Sequence, residues 1–172
     1  MMTASERRDL ILKQLTDSSV PCSAAALARQ YGVSRQIIVG DIALLRAAGC
    51  NITATARGYL IPTDTGLLYQ LACTHSAEQT QEELYIMVDC GCTVIDVIVE
   101  HAVYGQLTAS LQLSSRLDVD LFVESMANHG ARPLSLLTEG IHLHTLSCPS
   151  QAALDRVKEK LVGAGMLLAE QN

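Results

Sequence analysis

Apolar residues recur at helical spacing through the first fifty positions. Ser5–Gln14 reads as a helix, with Leu10, Ile11 and the adjoining Leu15 on one side and charges on the other. Pro21 interrupts the pattern. Ser23 is placed to cap a second helix over Ala24–Tyr31, with Ala25, Leu27 and Ala28 available for packing. Gly32 supplies a tight turn, and Val33 follows as an apolar plug. Ser34 caps a third helix reaching about Ala48, in which Ile38, Ile42 and Leu45 stand at i, i+4 and i+7. Gly49 ends it. Ile52–Ala54 and Tyr59–Ile61 are short β-type runs around an Arg57-Gly58 tip and read as a hairpin. Two short helices joined by a glycine turn and packed on a first helix make a helix-turn-helix. With the hairpin as its wing, residues 1–62 are predicted to form a winged helix-turn-helix DNA-binding domain.

Pro62–Gly66 is polar and rich in turn formers, so residues 63–70 are expected to be a linker and 71–172 a second domain. Strands are predicted at Leu71–His75, Thr93–Glu100 and Gln106–Leu113, the last two joined through Tyr104-Gly105. Pro133–Leu137 and Ile141–Leu146 read as two more strands around Thr138-Glu139-Gly140. Helical periodicity marks Gln79–Cys90, Leu117–Asn128 and Ala152–Val162. Paired strands between helices suggest an α+β fold, with helices packed on one face of a mainly antiparallel sheet.

Composition narrows the class. One Phe, five Tyr and no Trp mean an aliphatic core. No apolar run reaches the roughly 18 residues of a membrane span, and the mixed charges of Met1–Leu15 do not make a signal peptide. A cytoplasmic protein with no membrane partner is expected. The six cysteines form no C-x-x-C pair and are expected to be reduced, as small buried apolar residues. Charge is uneven. Residues 1–62 hold seven Lys/Arg against four Asp/Glu, net +3, whereas the other 110 residues hold five against fourteen, net −9. A basic module joined to an acidic one fits a nucleic-acid reader carried by a separate domain.

Two sets of residues carry candidate chemistry. The start of the third helix presents Ser34, Arg35 and Gln36. There Arg can pair with guanine and Gln with adenine, and Ser34 with the helix terminus can hold a phosphate. Arg57 at the wing tip is placed for a phosphate or the minor groove; taken singly, both arginines read as solvated charges, and the helical pattern around them favours DNA contact. The second set is histidine-based. His142 and His144, at i and i+2 on a predicted strand, project from one face. His75 ends another strand, and Glu83 lies on the helix after it. Three imidazoles and a carboxylate suit zinc, nickel or ferrous iron; a surface histidine pair is the plain alternative. No H-E-x-x-H, no G-x-S-x-G and no phosphate-cradling loop is present, so no catalytic residues are assigned and an enzyme is not expected.

Several segments together resemble one family: VSRQIIVGDIALLRAAG with ARGYLI, ELYIMVDCGCTVIDVIVEH with VYG, SSRLDVDLF, and RPLSLLTEGIHLHTL. They are similar to the niacin-responsive transcription repressors built from a helix-turn-helix and a 3H domain. The resemblance implies a metal set at His75, Glu83, His142 and His144, and it includes His101 as a further family histidine. Where relatives commonly read H-P-V-Y-G, Ala102 replaces the proline. It also implies repression of NAD-synthesis and niacin-uptake genes, with nicotinic acid as co-repressor. A pyridine nitrogen resembles imidazole as a ligand, so nicotinate is expected at or near the metal. Tyr104 and Arg116 are candidates for its carboxylate, Arg116 being equally a helix-start charge. A homodimer on a near-palindromic double-stranded operator is expected. The alternatives are a regulator responding to a metal or another small carboxylate and, more remotely, a metalloenzyme.

Overall fold

A computed structural model describes residues 2–63 and 66–168, and the chain divides into two compact units between residues 64 and 65. Asp64 and Thr65 of the expected linker, and residues 169–172 of the expected second domain, lie outside the described residues.

The first unit holds α1 (Ala4–Asp17), α2 (Ala24–Tyr31), α3 (Arg35–Ala47), β1 (Thr53–Thr55) and β2 (Gly58–Leu60). Each helix begins where a hydroxyl takes a free backbone N–H. Thr3 forms a capping box with Glu6, Ser23 accepts from the Ala26 N–H, and Ser34 accepts from the Ile37 N–H. Ile11, Leu15, Leu27, Ala28, Ile38, Ile42, Leu45 and Ile52 form the core. Leu10 is 46% exposed, because the next position around a helix is turned by about 100° from the Ile11–Leu15 face. Ala25 is exposed too. Asp41 of α3 is buried and takes Arg7 Nε at 2.6 Å, with Arg8 3.6 Å away, so α1 is pinned to α3. Part of the basic charge in this half is thus spent on internal pairing. β1 and β2 form the antiparallel hairpin. Gly58, at φ +134°, is required there: a Cβ would lie 2.4 Å from the Cys22 carbonyl oxygen.

The second unit contains β3 (Leu67–Thr74), α4 (Thr80–Asp89), β4 (Thr93–His101), β5 (Gly105–Leu113), α5 (Arg116–Asn128), β6 (Ile141–Cys148) and α6 (Gln151–Gly163). The sheet order is β3-β6-β4-β5, with every pair antiparallel. Leu71, Val94, Leu111, Leu113 and Leu146 share one core cluster with Leu84 and Met87 of α4, Val119 of α5, and Leu154, Val157 and Leu161 of α6. The three helices therefore cover one face of the sheet.

Two further expectations are corrected. β3 begins at Leu67, which pairs with Cys148, so Leu67–Gln70 belong to the sheet rather than to a linker. Pro133–Leu137 is not a strand: Leu134–Thr138 forms a short 3-10 turn against β4 and β6. Pro133 supplies no N–H to a ladder, and Thr138 Oγ1 donates back to the Ser135 carbonyl at 3.2 Å. Beyond α6, residues 166–168 run along β3 through Thr74 N–H to Met166 O and Leu168 N–H to Ala72 O.

Candidate metal centre

Register brings the second set of candidates together. His142 and His144 alternate inward along β6, where Leu71 pairs with His144 and Cys73 with His142. His75 follows the end of β3, and Glu83 hangs from the first turn of α4. His75 Nε2 lies 2.6 Å from Glu83 Oε2, His142 Nε2 3.1 Å from Oε1, and His144 Nε2 3.3 Å from Oε2. The His75 and His142 rings meet edge-on at 4.9 Å, as do those of His142 and His144. No side chain of the four is more than 4% exposed. The surface-pair alternative is therefore excluded: His142 and His144 are buried.

The far side of each ring is as informative. His75 Nδ1 lies 2.7 Å from the Ser76 carbonyl, His142 Nδ1 2.8 Å from the Gly140 carbonyl, and His144 Nδ1 2.6 Å from the Asp96 carbonyl. A carbonyl only accepts, so every Nδ1 carries a proton and donates. A neutral ring then aims a bare Nε2 lone pair at Glu83. Three lone pairs and a carboxylate repel one another, and the cluster is satisfied only by protons between them or by one cation. Carbonyls that fix the tautomer from behind are the usual support of metal-binding histidines. Oxygen and nitrogen donors at about 2.1 Å from one ion stand roughly 3.0–3.4 Å apart when adjacent. Two of the three imidazole–carboxylate distances, 3.1 and 3.3 Å, already match, and that of His75 is shorter at 2.6 Å. The set fits a divalent transition ion.

Without such an ion, protons do the work. Burial would raise the Glu83 carboxyl, but the charge of His144 and hydrogen bonds from His142, His144 and His75 hold it well below the usual range. Burial pulls His75 and His144 down, yet Glu83 outweighs it and both are raised.

The supporting carbonyls escaped the sequence reading. Asp96 stands at a bulge in β4, where the register slips after Val94, and its Oδ1 also accepts from the Thr145 N–H at 3.0 Å. Gly140 has φ +96°, and a Cβ there would lie 2.5 Å from the His75 carbonyl oxygen. A glycine directly before an I-H-L-H run was the visible signal.

The remaining candidates sit elsewhere. His101, four residues beyond Val97 on β4, faces the same side as Val97, the register partner of His144. Its Nδ1 accepts the Val103 and Tyr104 N–H groups at 3.2 and 3.3 Å, and Tyr104 is 74% exposed. Arg116 does not reach the cluster. It grips Asp89 with Nε at 2.8 Å and Nη2 at 2.6 Å and lies over the Tyr85 ring, so it ties α5 to the last turn of α4. Asp89 is six residues past Glu83, about 9 Å along the helix. In the first unit, Ser34 is committed as the cap of α3, Arg35 and Gln36 are exposed beside it, and Arg57 occupies the hairpin turn. No helix among the described residues is long and apolar enough to cross a membrane.

Fold and site together define a helix-turn-helix protein that carries a separate α+β domain with a buried three-histidine, one-carboxylate cluster. Residues 7–60 match the helix-turn-helix (HTH) domain family and residues 69–170 the 3H domain family. The chain is 40% identical over 174 positions to the transcription repressor NadR of Bacillus subtilis, covering 98% of this chain and 97% of that protein. It is also 40% identical over 166 positions to the probable transcription repressor NiaR of Thermotoga maritima, covering 96% and 95%. The chain belongs to this family of transcription repressors with a helix-turn-helix and a 3H domain. Both relatives are named as repressors, in agreement with the expectation that the chain is not an enzyme.

Proposed function

We propose that this repressor controls NAD-synthesis and niacin-uptake genes with nicotinic acid as co-repressor, and that His75, Glu83, His142 and His144 hold a divalent transition metal, nickel, zinc or iron, in its sensory domain. One observation carries the metal reading: all three rings donate Nδ1–H to backbone carbonyls and so turn Nε2 toward a single buried carboxylate. The ligand follows from the family resemblance and from the relatives NadR and NiaR.

When bound, the ion supplies an electrophilic position suited to a pyridine nitrogen. The protein's residues do the rest. The carbonyls of Ser76, Gly140 and Asp96 orient the rings, and Glu83 supplies negative charge. His101, an acceptor at Nδ1, is left with Nε2–H as a donor for a carboxylate, and the Tyr104 hydroxyl is the second candidate. Arg116 takes no part, because Asp89 already holds its guanidinium.

On the DNA side, residues 1–62 act as the winged reader. Arg35 and Gln36 meet base edges, the free N–H groups of the α3 N-terminus beside Ser34 meet a phosphate, and Arg57 meets the backbone or minor groove. A cytoplasmic homodimer sets two α3 helices one helical turn apart on the operator. A coupling of about 1–3 kcal/mol between effector and DNA is enough for control. The test is fluorescence anisotropy on DNA upstream of niacin and NAD genes, at fixed metal and salt. Nicotinic acid tightens binding, whereas nicotinamide and benzoate do not. Specific binding indifferent to nicotinic acid removes the effector from the account.

A further inference from the structure

We propose that Cys73 is a sulfur donor to the same centre, which makes a five-donor set of three imidazoles, one carboxylate and one thiolate. The inference rests on the metal reading above and adds a residue that the family's three-histidine pattern does not contain.

Cys73 is the register partner of His142, so its side chain rises beside that imidazole on the same face of the sheet. It is fully buried, and His75 follows two residues later, just past the end of β3. The Cys73 Sγ, a Glu83 oxygen and a His142 nitrogen all lie within 4.8 Å of one another. The sulfur thus stands beside the donors that Glu83 and His142 offer. This group takes Glu83 and His142 from the four-residue cluster and adds Cys73 to them. The other buried thiols, Cys90, Cys92 and Cys148, are outside it.

As an apolar core residue, Cys73 would need no polar neighbour, yet its Sγ stands within 4.8 Å of a Glu83 oxygen. On loading, the S–H bond breaks, the proton leaves to the buffer, and both electrons of that bond become the sulfur–metal bond; nothing is oxidised or reduced. A thiolate disfavours magnesium and calcium and selects borderline-soft ions.

The experiment loads the full-length protein with cobalt(II) and records its spectrum beside metal analysis. The wild type gives one cobalt per chain and a thiolate-to-cobalt charge-transfer band in the near ultraviolet. Cys73→Val keeps one cobalt, loses that band and releases one proton fewer on loading, whereas Cys90→Ser keeps the band. One bound cobalt without the band in the wild type, or a band that survives in Cys73→Val, overturns the role of Cys73 and leaves the four-residue centre standing. Failure to retain cobalt at all overturns both.

Discussion

Replacing Glu83 by Gln keeps the side chain's shape and removes its charge, and the consequence depends on pH in a defined direction. Glu83 is 1% exposed, and three imidazoles approach it at 2.6–3.3 Å. In chelator, burial opposes charge on His75 and His144, but Glu83 raises both above their ordinary 6.5. Their contribution to stability is complete below pH 6.5 and is lost as pH rises through the raised values. Glu83 is held below its ordinary 4.5, so its contribution is complete above pH 4.5 and is lost as pH falls through the lowered value. The two windows overlap between pH 4.5 and 6.5, where the cluster's contribution to the metal-free wild type is complete. Breaking a buried ion pair by removing one partner costs about 3–5 kcal/mol. For a domain of about a hundred residues, at roughly 4 °C per kcal/mol, the fall in melting temperature is on the order of 12–20 °C. As pH rises through the raised values of His75 and His144, the wild-type rings shed their extra protons and the penalty shrinks. Thermal denaturation of Glu83→Gln and wild type in chelator, at pH 5.5 and 8.5, reads both values. A penalty equal at the two pH values, or larger at 8.5, refutes the reasoning.

Other perturbations separate the two units. Arg35→Ala weakens specific DNA binding by about 1–3 kcal/mol in anisotropy, with melting behaviour and metal retention unchanged. Gly140→Ala, forced to φ +96° and against the His75 carbonyl, lowers stability by at least about 1–2 kcal/mol and loosens metal retention, as read by melting and metal analysis. Asp41→Ala strands Arg7 and costs the first unit about 1.5–3 kcal/mol, with DNA binding impaired and metal content of the protein intact. Saturation with the cognate metal at 100 times its Kd raises stability by about 2.7 kcal/mol at neutral pH, an effect abolished in His144→Ala.

Local grammar was legible where short-range physics decides. Ser23, Gly32 and Ser34 announced two helices and their turn, and each performs the expected capping or turning role. The alternation of His142 and His144 on a strand, with Glu83 on a helix, was legible as well. What sequence pattern hides is pairing between distant segments. Leu67–Gln70 looked like linker because Asp64, Thr65 and Gly66 are turn formers, yet β6 offers a full ladder to that stretch. The three leucines after Pro133 looked like a strand, but a turn closed by the Thr138 hydroxyl leaves Leu136 and Leu137 about half exposed. Arg116 was free to be anything until Asp89, 27 positions away, proved to be its partner. The carbonyls of Ser76 and Asp96 are backbone atoms that no side-chain pattern advertises; only Gly140, ahead of the I-H-L-H run, gave a sign.

The most direct test of the central claim is one anisotropy titration of operator DNA, run with and without nicotinic acid on metal-loaded and metal-stripped protein at constant salt. Nicotinic acid is expected to tighten binding some 5–150-fold in the loaded protein and not in the stripped one. Equal tightening in both would contradict a sensory site built on His75, Glu83, His142 and His144.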